Sequence, residues 1–139
     1  MGNMLLIEGH RLIRGALENL LAHNGGMQMT EATDPIDGIQ QAVSQLPDVI
    51  ILDTAWTEIN GFWLARLLHK LSPLSKIVLL LDDNHPVYQE AARANGADAF
   101  VAKQMLTTEL LPTLERFEVF NSTSNLVSSS MTSDNKEIS

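Results

Sequence analysis

The sequence contains no cysteine, which excludes disulfide bonds and thiolate metal sites. Aromatic residues make up only 5% of the 139 residues. Basic residues are also few, since 9 lysines and arginines stand against 17 aspartates and glutamates. The resulting net charge of -8 disfavours binding to a phosphate backbone, so we expect no direct nucleic-acid binding by this chain. An acidic chain favours basic partners and divalent cations instead.

Long apolar runs are missing as well. No stretch approaches the roughly 18 residues that a membrane span needs, and the first residues show neither a basic leader nor a cleavage region. We therefore expect a chain that is neither exported nor inserted into a membrane, and the lack of cysteine fits a reducing cytoplasm. The apolar content of 45% over 139 residues predicts one domain with a proper core.

Short apolar runs alternate with helical patterns along most of the chain. The runs predict strands over residues 4–7, 27–33, 48–53, 77–81 and 99–101. Each predicted strand is followed by apolar residues at helical spacing, and the first of these helices is expected to stop at Asn24-Gly25-Gly26. Five strand-helix units therefore follow one another without a break.

Three of the helices carry specific predictions about their packing. The second helix starts at Asp34-Pro35 and is expected to bury Ile36, Ile39, Val43 and Leu46. The third follows Asn60-Gly61 and is expected to bury Phe62, Ala65, Leu68 and Leu71. The last is expected to be capped by Thr107 or Thr108 and to bury Leu110, Leu111, Leu114 and Phe117.

The alternation of strands and helices predicts an α/β domain built on a parallel sheet, with right-handed crossovers and helices on both faces. We expect the flavodoxin-like, doubly wound arrangement of five strands in the order 2-1-3-4-5. Residues 1–120 should form this domain. Residues 121–139 are rich in Ser, Thr and Asn and poor in apolar residues, which predicts a linker or a disordered tail.

Asp53 ends the apolar run Asp48-Val49-Ile50-Ile51-Leu52-Asp53, which is typical of a central strand buried on both faces. In doubly wound sheets the carboxyl ends of the strands form the crevice in which ligands bind. Asp53 is therefore the first candidate for a functional side chain. An aspartate at this position can also merely open a turn or cap the next helix.

Further landmarks accompany Asp53 in a fixed order. Glu8 follows the first predicted strand, Asn60-Gly61 lies beyond Asp53, and the fifth strand falls in Gly96-Ala97-Asp98-Ala99-Phe100-Val101-Ala102-Lys103. Over residues 4–117 these landmarks resemble the receiver domains of bacterial two-component response regulators. The stretch Ile7-Glu8-Gly9-His10 and the Gly-Ala-Asp sequence are most similar to receivers of LuxR/NarL type, which carry a helix-turn-helix output domain.

The resemblance implies a signalling phosphoacceptor with at most self-catalysed phosphotransfer, and not a conventional enzyme. Asp53 would be the nucleophile that takes a phosphoryl group from a sensor histidine kinase, and Lys103 would be its charge partner. Glu8 and Asp53 would hold Mg²⁺ through oxygen ligands. The resemblance also implies a possible homodimer through the fourth helix, fifth strand and fifth helix, where Phe100 matches an aromatic residue that changes position on activation.

Several positions depart from the family pattern. Gly9 replaces a second acidic residue, so Mg²⁺ binding should be weak. Leu81 stands where a hydroxyl group is expected to hydrogen-bond the phosphoryl group, so the switch should be blunted. Asp82 and Asp83 follow directly; they can supply a metal ligand, repel a phosphoryl group, or belong to a solvated loop.

Two hypotheses about function therefore remain. The first is a working phosphoacceptor, which we favour because Asp53 and Lys103 are both present. The alternative is a pseudo-receiver, a phosphorylation-independent module for protein interaction or dimerisation. The replacements at Gly9 and Leu81 are the features that favour the alternative.

Overall fold

A computed structural model describes residues 2–22 and 28–117 of the chain. The elements are β1 (Asn3–Ile7), α1 (Arg11–Ala22), β2 (Gln28–Ala32), α2 (Pro35–Gln45), β3 (Val49–Asp53), α3 (Gly61–Leu71), β4 (Lys76–Leu81), α4 (Pro86–Ala94), β5 (Ala99–Ala102), a 3-10 turn (Lys103–Met105) and α5 (Leu106–Glu115). All five predicted strands are present. The predicted helix stop at Asn24-Gly25-Gly26 and the predicted tail over residues 121–139 lie outside the described residues. Within residues 2–22 and 28–117, no helix is long and apolar enough to cross a membrane.

The sheet has the order β2-β1-β3-β4-β5, and all of its strand pairs are parallel, which confirms the predicted fold. One apolar cluster joins the sheet to α1 and α5, and a second joins its other face to α2, α3 and α4. The central strand β3 is buried along its whole length, which explains why its sequence is a continuous apolar run and not an alternating one.

The landmark residues also have structural roles. The Asn60 side chain accepts hydrogen bonds from the amides of Phe62 at 2.9 Å and Trp63 at 3.0 Å, so it caps the start of α3. Gly61 allows a close approach, because a Cβ there would lie 2.5 Å from the Cα of Thr54. These contacts fix the loop that connects Asp53, at the end of β3, to the start of α3.

The Gly-Ala-Asp stretch joins α4 to β5. Gly96 has a φ of +88°, a left-handed conformation that favours glycine after a helix. The Asp98 carboxylate accepts a hydrogen bond of 2.8 Å from the amide of Ile77 at the start of β4. The stretch therefore sets the position of β5 beside β4, and with it the position of Lys103 at the end of β5.

The predicted inward face of α2 is wrong. Ile36, Val43 and Leu46 are 63%, 50% and 62% exposed, and of the predicted set only Ile39 packs against the core. The helix lies so close to the sheet that a Cβ on Gly38 would be 2.7 Å from the side chain of Ile7. Small residues therefore face the sheet and the larger apolar ones are rotated outward; the buried residues are Pro35, Gly38 and Ala42.

The predicted caps of α5 are also wrong. The helix begins at Leu106, directly after the 3-10 turn, and it has no side-chain cap. Thr107 and Thr108 lie inside its first turn, and the Thr108 hydroxyl donates to the carbonyl of Met105 at 3.2 Å. The predicted inward face is confirmed, since Leu110 and Leu114 are fully buried and Leu111 and Phe117 pack against the same cluster. In α3, Ala65 and Leu68 are buried, whereas Leu71 ends the helix and is exposed.

Candidate functional site

The parallel register brings charged residues to one edge of the sheet. Ile7 is the register partner of Leu52, and Leu81 is the partner of Ala102. Each of these strands therefore delivers its next residue to the same edge. Glu8, Asp53, Asp82 and Lys103 meet there, and the last three of them line an open cleft of about 460 Å³.

Asp53 and Lys103 form a buried ion pair at the floor of this cleft. The Lys103 Nζ lies 2.8 Å from Asp53 Oδ1, and their side chains are 17% and 7% exposed. The same oxygen of Asp53 accepts a hydrogen bond of 2.9 Å from the amide of Ala55. A charge-assisted contact of this length in a partly dry site is strong and holds both groups in place. The structure thus brings together the two residues that the sequence singled out.

Lys103 has a second carboxylate partner that the sequence reasoning missed. Its Nζ also lies 2.8 Å from Asp82 Oδ1, and the Asp82 side chain is 62% exposed. Partial burial lowers the pKa of Lys103, but the contacts with Asp53 and Asp82 outweigh this, so its pKa is raised above the usual value. The strand register shows that the two residues are neighbours, because Asp82 and Lys103 directly follow the paired residues Leu81 and Ala102. Asp83 instead accepts a hydrogen bond from the amide of His85 within the loop, at 2.9 Å.

Glu8 is fully buried beside this ion pair. Its Oε1 accepts a hydrogen bond of 2.8 Å from the amide of His10, while its Oε2 has no hydrogen-bond partner among the described residues. Burial is the main cause that raises the pKa of Glu8 to about 7; the His10 amide lowers it, and the neighbouring Asp53 carboxyl raises it further. The protonated and the ionised form of the Glu8 carboxyl are therefore both populated near neutral pH.

The buried, unpartnered oxygen of Glu8 suits a hard divalent cation, which prefers oxygen ligands and keeps several waters. Glu8 and Asp53 are the two carboxylates that fit such an ion. The part of the chain that the structure describes contains no group of three or more His, Asp or Glu residues arranged to hold a metal. Within the described residues, Glu8 and Asp53 are thus the pair of carboxylates that this edge of the sheet offers to a cation.

Trp56 occupies the space beside Gly9. A Cβ on Gly9 would lie 3.1 Å from the Cζ3 atom of Trp56 and 3.3 Å from the carbonyl oxygen of Thr33. The indole is partly buried against the core, and its Nε1 has no hydrogen-bond partner among the described residues. The side chain of a second acidic residue would therefore have to share its place with this ring. Trp56 lies in the loop between β3 and α3, and no pattern in the sequence indicates that its ring reaches Gly9.

The two remaining positions singled out in the sequence lie on the α2–α4 side of the sheet. Leu81 is 1% exposed and belongs to the apolar cluster there, and Phe100 packs against the same cluster. The Arg93 guanidinium lies over the Phe100 ring, 5.3 Å from its centre. No hydroxyl group stands at Leu81, and the nearby Thr54 hydroxyl donates instead to the carbonyl of Leu80 at 2.9 Å.

The fold and the acidic cleft with its lysine define a receiver domain. The response regulator receiver domain model matches residues 4–115, and the chain belongs to this family. It is 30% identical over 114 residues to the nitrate/nitrite response regulator protein NarL of Escherichia coli (strain K12), which covers 81% of this chain and 53% of NarL. It is 26% identical over 113 residues to the DNA-binding transcriptional activator EvgA of the same strain, with 81% and 55% covered. The chain thus spans about half the length of these relatives, which are regulators of LuxR/NarL type.

Solved structures agree with the fold. The chemotaxis protein CheY4 of Vibrio cholerae superposes with a TM-score of 0.75 at 24% identity, over 84% of this chain and 98% of CheY4. The receiver domain of the sensor histidine kinase PA1611 of Pseudomonas aeruginosa PAO1 superposes with a TM-score of 0.73 at 22% identity, over 84% and 96%. The PA1611 structure has a magnesium ion coordinated in its active site cleft.

Proposed function

We propose that this receiver domain accepts a phosphoryl group on Asp53 from a phosphohistidine of a sensor histidine kinase, as one step of a two-component phosphorelay. The observation that carries the proposal is the contact of 2.8 Å between Lys103 Nζ and Asp53 Oδ1 at the floor of an open cleft. A buried aspartate of this kind is a nucleophile whose charge is balanced by a fixed ammonium group.

The hydrogen bonds divide the roles of the two Asp53 oxygens. Oδ1 is held by the Ala55 amide and by Lys103, so we assign Oδ2 as the attacking oxygen. A bond forms between Oδ2 and phosphorus while the bond between phosphorus and the histidine nitrogen breaks, and the imidazole leaves. The Lys103 ammonium is then placed to donate to a phosphoryl oxygen of the acyl phosphate.

Glu8 and Asp53 are the residues that would hold Mg²⁺ at this site. When bound, the ion offsets negative charge on the phosphoryl group. Glu8 must be ionised to act as a ligand, so its pKa of about 7 means that metal binding at neutral pH competes with a proton. The few protein ligands and the missing acid at Gly9 support weak affinity.

A groove of about 590 Å³ supports a dimer contact through α4, β5 and α5. It is lined by Arg93 and Arg116 and by Asp98 and Glu109, with the Phe100 ring between the elements. A surface that carries both signs of charge can match a second copy across a two-fold axis. We propose that this face forms the homodimer and that the chain controls an output activity in the cytoplasm. We also propose that the chain does not bind DNA itself, because its net charge is -8.

Intact-mass measurement tests the phosphoacceptor. After incubation with acetyl phosphate and Mg²⁺, the unaltered protein should gain the mass of one phosphoryl group, whereas Asp53→Asn should gain none. Glu58→Gln is the matched control, because Glu58 is an exposed acid that lines the same cleft, and it should reach the same final mass gain as the unaltered protein.

Two results would contradict the proposal. If Asp53→Asn gains the same mass as the unaltered protein, another residue is the acceptor. If the unaltered protein gains nothing even at high phosphodonor and metal concentrations, the phosphoacceptor is refuted. A receiver that binds its partners without phosphorylation would then be the better account.

A further inference from the structure

Lys103 is shared between two carboxylates before any phosphoryl group arrives. Its Nζ lies 2.8 Å from one oxygen of Asp53 and 2.8 Å from one oxygen of Asp82. An ammonium group has three hydrogen-bond donors, so two of them are already engaged. The two partners differ in exposure, since the Asp53 side chain is 7% exposed and that of Asp82 is 62% exposed. Asp82 is therefore the partner that water can replace at low cost.

Asp82 also adds negative charge at the open side of the cleft. The cleft is lined by the acids Asp53, Asp82 and Glu58 together with Lys103 and His10. The buried Glu8 carboxyl lies beside Asp53. A phosphoryl donor is an anion, so each additional carboxylate in the cleft opposes its approach. Glu8 and Asp53 are the residues that would hold a cation, whereas Asp82 is paired with Lys103.

We infer that Asp82 is a positioning residue that competes with the phosphoryl group for Lys103 and so slows phosphoryl transfer to Asp53. The inference rests on the proposed function. Before Lys103 can give a phosphoryl oxygen its full set of contacts, the ion pair with Asp82 must weaken or open, and its carboxylate must return to water. The receiver thus carries an internal anion that opposes its own activation.

Removing the charge of Asp82 tests the inference. The rate of phosphoryl mass gain from acetyl phosphate, at saturating Mg²⁺, should rise on the order of tenfold in Asp82→Asn, the effect of one partly screened charge a few ångströms away. Asp82→Glu keeps the charge and should stay slow. Asp83→Asn is the matched control: it removes the neighbouring charge, whose carboxylate bonds the His85 amide, and should change the rate less than twofold.

Two further measurements separate competition from a merely structural role. Added salt should speed the unaltered protein more than Asp82→Asn, because salt screens the Asp82 charge and its ion pair. Beryllofluoride, a phosphoryl mimic, should bind Asp82→Asn about tenfold more tightly, as followed by fluorine NMR.

Each outcome bears on one proposal. If the unaltered protein is phosphorylated but Asp82→Asn is phosphorylated no faster, or more slowly, the inference about Asp82 is overturned. The proposal that Asp53 accepts a phosphoryl group is then unaffected. If no variant is phosphorylated, the proposed function fails, and the beryllofluoride affinities still decide whether Asp82 competes with a phosphoryl group for Lys103. Equal affinities of the unaltered protein and Asp82→Asn would then overturn it.

Discussion

The replacement Glu8→Gln should stabilise the fold at alkaline pH and have little effect in mild acid. Glu8 is fully buried, and its pKa is raised from 4.5 to about 7, chiefly by that burial. Glutamine has the shape of the protonated acid, so it reproduces the neutral form without the cost of a buried charge. The difference in stability between the two proteins therefore reports that cost directly.

The sign and size follow from proton linkage. Below pH 4.5 the carboxyl is protonated in both the folded and the unfolded chain, so the substitution changes little. Between pH 4.5 and 7 the unfolded chain has released a proton that the folded protein still holds, so the stability of the unaltered protein falls as the pH rises. Above pH 7 the full cost is present, and a pKa raised from 4.5 to about 7 corresponds to about 3 kcal/mol.

Urea unfolding without divalent cations measures the effect. At pH 8 the free energy of unfolding of Glu8→Gln should exceed that of the unaltered protein by about 3 kcal/mol, and at pH 5 by less than about 1 kcal/mol. Glu58→Gln changes an exposed carboxyl and should stay within about 0.5 kcal/mol at both pH values. Adding Mg²⁺ at pH 8 should stabilise the unaltered protein more than Glu8→Gln, because the ion binds the ionised carboxylate.

Equal unfolding free energies at pH 8 would refute this reasoning. They would mean that the ionised Glu8 side chain finds water or a partner that the folded structure does not show. A difference that is the same at pH 5 and pH 8 would refute it as well, because a packing change has no such pH dependence. The pH dependence is thus the decisive part of the measurement.

Glycine and switch positions give three further expected outcomes. In urea unfolding, Gly61→Ala should lower the free energy of unfolding by about 3 kcal/mol, because its Cβ would lie 2.5 Å from backbone atoms of the β3–α3 loop. Gly15→Ala should raise it by about 0.5–1 kcal/mol, because a Cβ there meets nothing within 4 Å. By calorimetry, Gly9→Asp should tighten Mg²⁺ binding more when Trp56 is also replaced by Leu, since the ring lies 3.1 Å from the new Cβ; equal gains would show that the ring yields freely. In sedimentation, self-association should be nearly the same with and without beryllofluoride, and Leu81→Thr should make it sensitive; a protein that dimerises on adding the mimic would show that Leu81 is no obstacle.

The fold and the placement of Asp53 at the carboxyl edge of the sheet were predictable from the sequence for a physical reason. In a parallel sheet the apolar strands are continuous runs, and each run ends where a polar residue reaches the same edge. Asp53 and Lys103 both stand at the ends of such runs, so the sheet places them at the same edge, whereas their pairing was expected from the resemblance to receiver domains. The inner face of α2 was not predictable in this way. Hydrophobic periodicity favours large residues, but the close approach of the helix to Ile7 admits only a residue such as Gly38.

The position of the Trp56 ring could not be predicted from the sequence, because it depends on loop geometry. Gly9 and Trp56 lie in the loops after β1 and β3, and the register of Ile7 with Leu52 shows only that these loops are neighbours. Whether a side chain of one loop covers a residue of the other depends on backbone angles that no periodic pattern specifies. The ring over Gly9 also changes what a substitution there can achieve, because a restored acid must first find room.

The contact between Asp82 and Lys103 lies between these two cases. Register predicts that they are neighbours, since Leu81 pairs with Ala102, but it does not predict that a solvent-exposed carboxylate turns inward to a lysine already paired with Asp53. The contact of Asp82 with Lys103 follows from the attraction between their opposite charges. Partial burial disfavours the ammonium, and its raised pKa shows that two carboxylates more than offset this cost. An incoming phosphoryl group brings the same kind of stabilisation, so Asp82 is no longer needed once phosphate is bound. The residue that stabilises the empty site is therefore the one that opposes its filling, which is why Asp82→Asn should speed phosphoryl transfer while Asp82→Glu should not.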